Sequence, residues 1–480
     1  MSRSFRICLW NANGLANHSQ EIKLFINTHQ IDVMLISETH FTDLSFFKIP
    51  NFSVYCTKPP DNTAHAGSAI LIKSCIKHYE IPGYQYDHIQ ASSVVIEDWT
   101  GPLTVSAIYA PPRHNITNQH FSTFFSTLGP RFIAGGDYNA KHHMWGSRLI
   151  NPRGRQLLTC VNNDNLNTVS SNEPTYWPTD LRKIPDLLDF FVVKGISNNY
   201  LTACSSLDLH SDHSPVILTV SSSVITKERV CTLSNKYTDW SMFKKTLNQT
   251  INLKLPLKSE DDIDQAVEHF NSSVQKSAWM ATPVVKGKVD TCVNYPVYIK
   301  RKIAEKRRLR RIWQNSRQPA DKNNLNRAAQ QLKRMLHALK NEWFQEFTSN
   351  LSPSKDSDYS LWKVTKSMKR PKQSIPPILT TNGNWAKSSQ EKSSVFADHF
   401  EKVFKPSSNN VSPEISDLLE APGQLCLPTT PFRPSEVKKV VMSQLNSDKA
   451  PGYDLITGRV LKELTKKGFI LLTLIFNAIL

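Results

Sequence analysis

The sequence of 480 residues contains no C-x-x-C pair and no Cys/His cluster of zinc spacing; its eight cysteines, Cys8, Cys56, Cys75, Cys160, Cys204, Cys231, Cys292 and Cys426, are scattered. That distribution argues against a disulfide framework and a structural zinc module, and for a reducing compartment. Residues 1–10 turn polar at Asn11, too soon for the apolar core of a secretory signal. Long apolar runs are missing as well: the longest, residues 469–480, is interrupted by Thr473 and Asn477 and is too short to span a bilayer. A soluble chain of the nucleus or cytoplasm is expected, not secreted and with no membrane partner.

What is present is uneven charge. Lys and Arg number 58 against 41 Asp and Glu, a formal charge of +17. Residues 1–220 hold 16 basic and 17 acidic side chains, and the remainder holds 42 and 24. A neutral front and a basic rear suggest one region built around chemistry and another that holds a polyanion, so nucleic acid is the expected partner. The length suits about three domains, and 39% hydrophobic residues suffice for packed cores.

In the front part short apolar runs alternate with few, short helices. Strands are expected over residues 5–10, 33–36, 68–72, 92–96, 103–109, 187–193 and 215–220, and from Phe132 into Gly135-Gly136; helices over 19–28, 120–128 and 152–161. Polar groups stand at the strand ends: Asn11 and Asn13, Glu38, Tyr109, Asp137 and Asn139, and His213. Side chains two apart on extended backbone face one side, so Asp137 and Asn139 are offered to one cleft. A turn after a strand also takes Gly, Asp and Asn for conformational reasons alone. The pattern describes an α/β (α+β) sandwich, two sheets face to face with loops at one edge forming a cleft. Asp189 lies inside the apolar run 187–193, where a carboxylate is costly without a partner. His213 is the natural one, since a buried carboxylate orients the ring and favours its protonated form; backbone hydrogen bonds at a bulge are the alternative.

Taken in order, Asn11-x-Asn13-Gly14, Ser37-Glu38-Thr39-His40, Ile108-Tyr109-Ala110-Pro111-Pro112, Gly136-Asp137-Tyr138-Asn139-Ala140, Leu188-Asp189-Phe190 and Ser211-Asp212-His213 resemble the apurinic-type endonucleases of the exonuclease III and DNase I-like superfamily. With Pro174-Thr175-Tyr176 and the run from Pro185 through Phe191, the wording is similar to the endonuclease domain of non-LTR retrotransposons, especially the jockey-like group, over about residues 4 to 220. The resemblance implies a four-layer α/β sandwich that nicks ordinary duplex DNA, leaving a 3′ hydroxyl to prime cDNA synthesis. It also implies that Asn11 assists at the metal or phosphate, Asp137 orients or deprotonates the attacking water, and Asn139 holds Asp137 and the phosphate. His213 paired with Asp189 would hydrogen-bond the scissile phosphate, Tyr109 would donate to it, and Asp212 would help at the metal, with Thr175 and Ser211 as phosphate contacts. Repair enzymes commonly carry Asp where Asn13 stands, so no ligand is expected there. Glu38 is the expected ligand, because Mg2+ takes one or two carboxylates plus phosphate oxygens; Mn2+ is the alternative ion.

Beyond Val220 the expected order is a linker (222–239), a helical basic connector (240–405), a second linker (406–431) and residues 432–480. Eight of the twelve residues from Lys300 to Arg311 are basic. As a helix this run would show a cationic face with Ile303, Leu309 and Ile312 on a narrow apolar stripe. Lys300, Arg301, Lys302, Arg307, Arg308, Arg310 and Arg311 are expected to neutralise phosphates of DNA or template RNA; a solvated helix and a nuclear targeting run are the alternatives. Trp343 and Phe344 are expected to pack. Residues 432–437, 448–456 and 474–480 resemble the opening, the fingers, of a retroelement reverse transcriptase. That family continues into a palm with a Y-x-D-D box; the sole adjacent aspartates, Asp261-Asp262, lie upstream. No polymerase activity is therefore expected, and a helix over 469–480 should lack a packing partner. Two other classes stay open: a lipid or inositol phosphodiesterase of the same fold, and a non-catalytic nucleic-acid-binding remnant.

Overall fold

The computed structural model describes residues 4–98, 100–221, 232–283, 295–350, 362, 364–366, 369, 375–405, 430–447 and 449–480. Its front part contains strands β1 (Phe5–Asn11), β2 (Val33–Ser37), β3 (Phe52–Thr57), β4 (Ser68–Lys73), β5 (His78–Gln85) and β6 (Gln90–Asp98). There follow β7 (Gly101–Tyr109), β8 (Phe132–Asp137), β9 (Asn167–Val169), β10 (Asp189–Lys194), β11 (Leu201–Ser205) and β12 (Val216–Val220). They form two six-stranded sheets, in the orders β11-β12-β1-β2-β4-β3 and β5-β6-β7-β8-β10-β9.

Side-chain alternation along the strands builds the layers. Ile7, Leu9, Val33 and Leu35 of one sheet meet Val105, Ala107, Ile133, Phe191 and Val193 of the other in a core between the sheets. The residues between them face outward: Cys8, Trp10, Met34 and Ile36 receive Ile22, Phe25 and Ile26 of helix α1 (Ser19–His29). On the far side Phe132, Ala134, Phe190 and Val192 receive Phe121 and Phe124 of α2 (Asn118–Ser126) and Leu157 of α3 (Pro152–Asn163). The result is the expected four-layer α/β sandwich. Asn151 caps α3 by accepting the Gly154 N–H at 2.7 Å, and Pro152 occupies the first turn, where no N–H is needed.

Gly136 is required by close strand approach: a Cβ there would lie 1.9 Å from the carbonyl oxygen of Ile108. No rotamer change moves a backbone carbonyl. Gly136→Ala should therefore cost about 3 kcal/mol in denaturant unfolding, the upper end for overpacking; unchanged stability would show that β7 and β8 tolerate separation.

Contacts group the rear of the chain otherwise than the sequence suggests. The described residues of 295–405 join the front sandwich in one unit, and 232–283 join 430–480 in a second. Within the first, helices α6 (Val297–Ser316) and α7 (Pro319–Ser349) form a hairpin, numbered after α4 (Trp240–Thr250) and α5 (Glu260–Ala281) of the second unit. Trp343 and Phe344, expected to pack, are exposed at 45% and 42%. The helix over 469–480, observed as Lys466–Ile479, does have a partner: Phe469, Leu471 and Ile475 are buried with Phe270 and Val274 of α5. Residues 222–231 and 406–429 of the two expected linkers lie outside the described residues. Among the described residues no helix is long and apolar enough to cross a membrane.

Candidate active site

The site is the last polar rung of the ladder that builds the inter-sheet core. Because Ile7 and Leu9 face inward, so does Asn11; because Val33 and Leu35 face inward, so does Ser37. On the opposite sheet Ile133, Phe191 and Ala107 fix the same inward sense for Asp137, Asp189 and Tyr109. Register brings them level: Asp137 pairs with Asp189 across β8 and β10 and with Tyr109 across β8 and β7, while Asn11 pairs with Ser37. The two sheets are tied where the apolar core ends. Asn11 Nδ2 donates to Asp137 Oδ2 at 3.0 Å, and Ser37 Oγ accepts the Asp137 N–H at 3.2 Å and donates to the Ile108 carbonyl at 2.9 Å.

Asp137 Oδ1 accepts the Asn139 N–H at 2.9 Å. Asp189 Oδ2 lies 2.6 Å from His213 Nδ1, with both side chains buried, and Asp189 Oδ1 has no hydrogen-bond partner. Burial works against charge on His213, yet the adjoining Asp189, helped by Asp137 and Asp212, lifts its pKa to about 10. Burial raises the Asp137 carboxyl to about 7; repulsion from Asp189 adds to this and His213 opposes it. Tyr109 is pushed well above the usual phenol value by burial, then by the Glu38 carboxylate, which its hydroxyl faces. One group is thus protonated at neutral pH, and a carboxylate beside it is poised to exchange a proton.

Among the described residues one cluster of side chains is spaced to hold a cation, and a second set offers oxygen donors. Ligand atoms of Asp137, Asp189 and His213 lie within 4.8 Å of one another. A protonated imidazole has no free lone pair, however, so this trio suits proton transfer. The hard oxygens of Glu38, Asn11 and Asp212 fit Mg2+ or Mn2+ better. Glu38 is partly open, its side chain 21% exposed, and acts electrostatically on both Tyr109 and Asp137. Asn11 Oδ1 accepts only the Asn13 N–H, at 3.0 Å, and Asn13 Nδ2 reaches Asp212 Oδ1 at 3.4 Å.

Four sequence-based assignments need correction. Thr175 is fully buried, and its hydroxyl accepts the N–H groups of Leu188 and Asp189, each at 3.0 Å, so it sets the Asp189 backbone rather than facing a phosphate. Ser211 Oγ accepts from Trp10 Nε1 at 3.0 Å and from the His213 N–H at 3.1 Å, and lies 2.8 Å from the Asn11 carbonyl it donates to, which saturates it. Arg310 is 1% exposed and points inward, with Lys306 beside it on the buried face of α6. Arg307 is held by Asp208, 2.7 Å from Nη2 to Oδ2. The inner face of α6 thus runs through Ile299, Lys306, Arg310 and Trp313, while Ile312 is exposed. Cations are tolerated inside because the surface they meet offers Glu21, Asp208 and backbone carbonyls. Of the remaining basic candidates, Lys300, Arg301, Arg308 and Arg311 are exposed, and Lys302 pairs with Glu305 at 2.9 Å.

Sequence reasoning passed over Arg153. Its guanidinium donates to the carbonyls of Ala110, Pro111 and His114, among others, fixing the loop after Tyr109, and Asn139 Nδ2 also reaches Ala110 O, at 3.3 Å. The sole hint was an arginine directly after Pro152 in the first turn of a helix. Tyr176 was missed as well; its ring lies 5.0 Å from that of His213.

A buried histidine–aspartate pair, an aspartate whose carboxyl is raised and a partly open glutamate thus stand at one end of a two-sheet sandwich. Residues 103–217 match the family model described as endonuclease-reverse transcriptase. The chain is similar to the probable RNA-directed DNA polymerase from transposon X-element of Drosophila melanogaster, 33% identical over 99% of this chain and 53% of that protein. It is 32% identical to the RNA-directed DNA polymerase from mobile element jockey of Drosophila funebris, over 99% of this chain and 52% of that protein. It therefore spans about half the length of these curated relatives. Among solved structures, the endonuclease domain of TRAS1, a telomere-specific non-LTR retrotransposon, aligns with 45% of this chain and 98% of its own at 21% identity, TM-score 0.39. The likeness to the two Drosophila mobile-element polymerases thus runs along nearly the whole of this chain, and the match to the endonuclease-reverse transcriptase model lies within its front sandwich.

Proposed function

We propose that the chain is a divalent-metal-dependent endonuclease that nicks duplex DNA by phosphodiester hydrolysis, leaving a 3′ hydroxyl from which cDNA synthesis starts. The observation that carries this reading is the single rung on which Asn11, Tyr109, Asp137 and Asp189 converge from four strand ends, joined by His213 from the loop before β12. Mg2+, or Mn2+, held by Glu38 with Asn11 and Asp212 would neutralise phosphate charge. The chain's own residues do the rest. Asp137, oriented by the Asn139 N–H and by Asn11 Nδ2, receives the proton of the attacking water. Protonated His213, turned outward by Asp189, donates its free Nε2–H to a phosphate oxygen as charge develops there, and Tyr109 supplies a second donor. Outside the pocket, the exposed Arg301, Arg308 and Arg311 of α6, together with Lys333 and Arg334 of α7, hold the backbone of nucleic acid, template RNA included.

Relaxation of supercoiled plasmid tests the reading. Chelation of divalent ions should stop nicking, and Glu38→Ala should slow it on the order of 100-fold. The nicked product should be extended by an added DNA polymerase without end repair. Metal-independent nicking, or none by the wild-type chain, would sink the proposal and leave a nucleic-acid-binding remnant.

A further inference from the structure

The basic run from Lys300 to Arg311 does something on its inner face that its composition does not announce. Arg310 is fully buried, among the described residues no carboxylate is in hydrogen-bond contact with it, and although its Nε has no partner, both terminal nitrogens are spent on the His213 loop. Nη1 donates to the Leu209 carbonyl, and Nη2 to the His213 carbonyl at 3.1 Å and to Ser214 Oγ at 3.3 Å. Burial lowers its pKa to about 10, so it stays charged at neutral pH, and the charge lies close enough to Asp212 to feel it. One turn earlier Lys306 donates to the Asp208 carbonyl and pairs with Glu21 of α1, and Arg307 pairs with the Asp208 side chain.

The same helix reaches the neighbouring loop. Trp313 packs on Trp177, ring centroids 6.1 Å apart, and Arg317 donates to the Pro178 carbonyl. That loop is itself zipped to the His213 segment: the Trp177 N–H donates to the Asp212 carbonyl at 2.8 Å and the Ser214 N–H to the Thr175 carbonyl at 2.7 Å. Both irregular segments behind His213 are thereby fastened to a helix that follows them at a long distance in the chain, 97 residues on from His213 at Arg310 and 139 on from Pro178 at Arg317. A loop without a ladder of its own relaxes readily unless its carbonyls are satisfied, and a catalytic group displaced by about 1 Å loses on the order of 100-fold in rate.

We infer that α6 is a built-in brace of the nuclease site, with Arg310 as a positioning residue that holds His213 in place through its carbonyl and that of Leu209 at the other end of the loop carrying Asp212, so that cleavage draws on residues beyond the sandwich. The inference rests on the endonuclease reading for its catalytic consequence, and on the fold alone for its mechanical one.

Both are read from the full chain carrying Arg310→Met, which keeps the stem and removes the donors, and Arg310→Lys, which keeps the charge and one donor group. Arg310→Met should lower kcat for duplex nicking on the order of 10- to 100-fold while KM stays within about two-fold, the signature of lost alignment rather than lost binding. Arg310→Lys should recover much of kcat. Backbone amide exchange over residues 209–214 should quicken in Arg310→Met with the β8 amides unchanged. Unaltered kcat, a loss carried by KM, or faster exchange throughout the sandwich in both variants would each overturn the brace, the last by assigning Arg310 to global stability. Should the wild-type chain not nick at all, the nuclease reading fails, and the exchange measurement still decides whether α6 holds the loop.

Discussion

Asp137→Asn should reduce plasmid nicking on the order of 1,000-fold and, without divalent ions, raise the melting temperature at neutral pH. The loss follows from removing the proton acceptor; the amide keeps nearly the same volume and an oxygen for the Asn139 N–H, and gives up only the bond that Oδ2 accepts from Asn11 Nδ2. The gain follows from what the fold imposes on the carboxylate. An aspartate in the unfolded chain ionises near 4, whereas burial, then Asp189, against the pull of His213, holds Asp137 up to about 7. Between those values the folded state retains a proton that the unfolded state releases, so this residue's contribution to stability declines as pH rises through the window. Asparagine carries no such penalty. Its advantage should be largest above about pH 7 and fade toward about pH 4, measured by thermal unfolding of both proteins in parallel. A variant no more stable than wild type at pH 7.5 would show that Asp137 is ionised there without cost. In the active protein, nicking should fall as acid protonates the same carboxyl.

His213→Ala should slow nicking on the order of 100-fold and also destabilise the fold by about 3–5 kcal/mol, because Asp189 is left as a buried carboxylate without its partner. Adding Asp189→Asn should recover most of the stability and none of the activity. Losses of activity from His213→Ala and Asp189→Asn should not add, since the two residues act as one unit. A cycle in which stability losses simply sum would mean that the 2.6 Å contact is not an ion pair in solution.

Which strands were legible follows from their place in the sheets. Every strand that periodicity reveals is internal, with a near-continuous apolar signal. β3, β5, β9 and β11 were not expected, and these are the four edges of the two sheets. β3 and β5 are half-buried along most of their length, and β9 is only three residues long, so neither alternation nor an apolar run marks them. The side chains of the candidate site were legible for the opposite reason. A carboxylate at Asp189 amid Leu187, Leu188, Phe190 and Phe191 has no reading that avoids a partner.

The amino-acid order by itself determined the strand-end placement of Asn11 and Asp137, their inward sense through two-residue alternation, and the basic balance of the rear, because all three are local properties of the chain. Register and surface complementarity are not local. Only the tertiary structure decided that Asp137, Asp189 and Tyr109 stand level, that the hydroxyls of Thr175 and Ser211 are consumed by backbone, and that Arg310 faces inward. A cation on a helix belongs to solvent, phosphate or protein according to what lies opposite, and opposite α6 lie the carbonyls of the His213 loop.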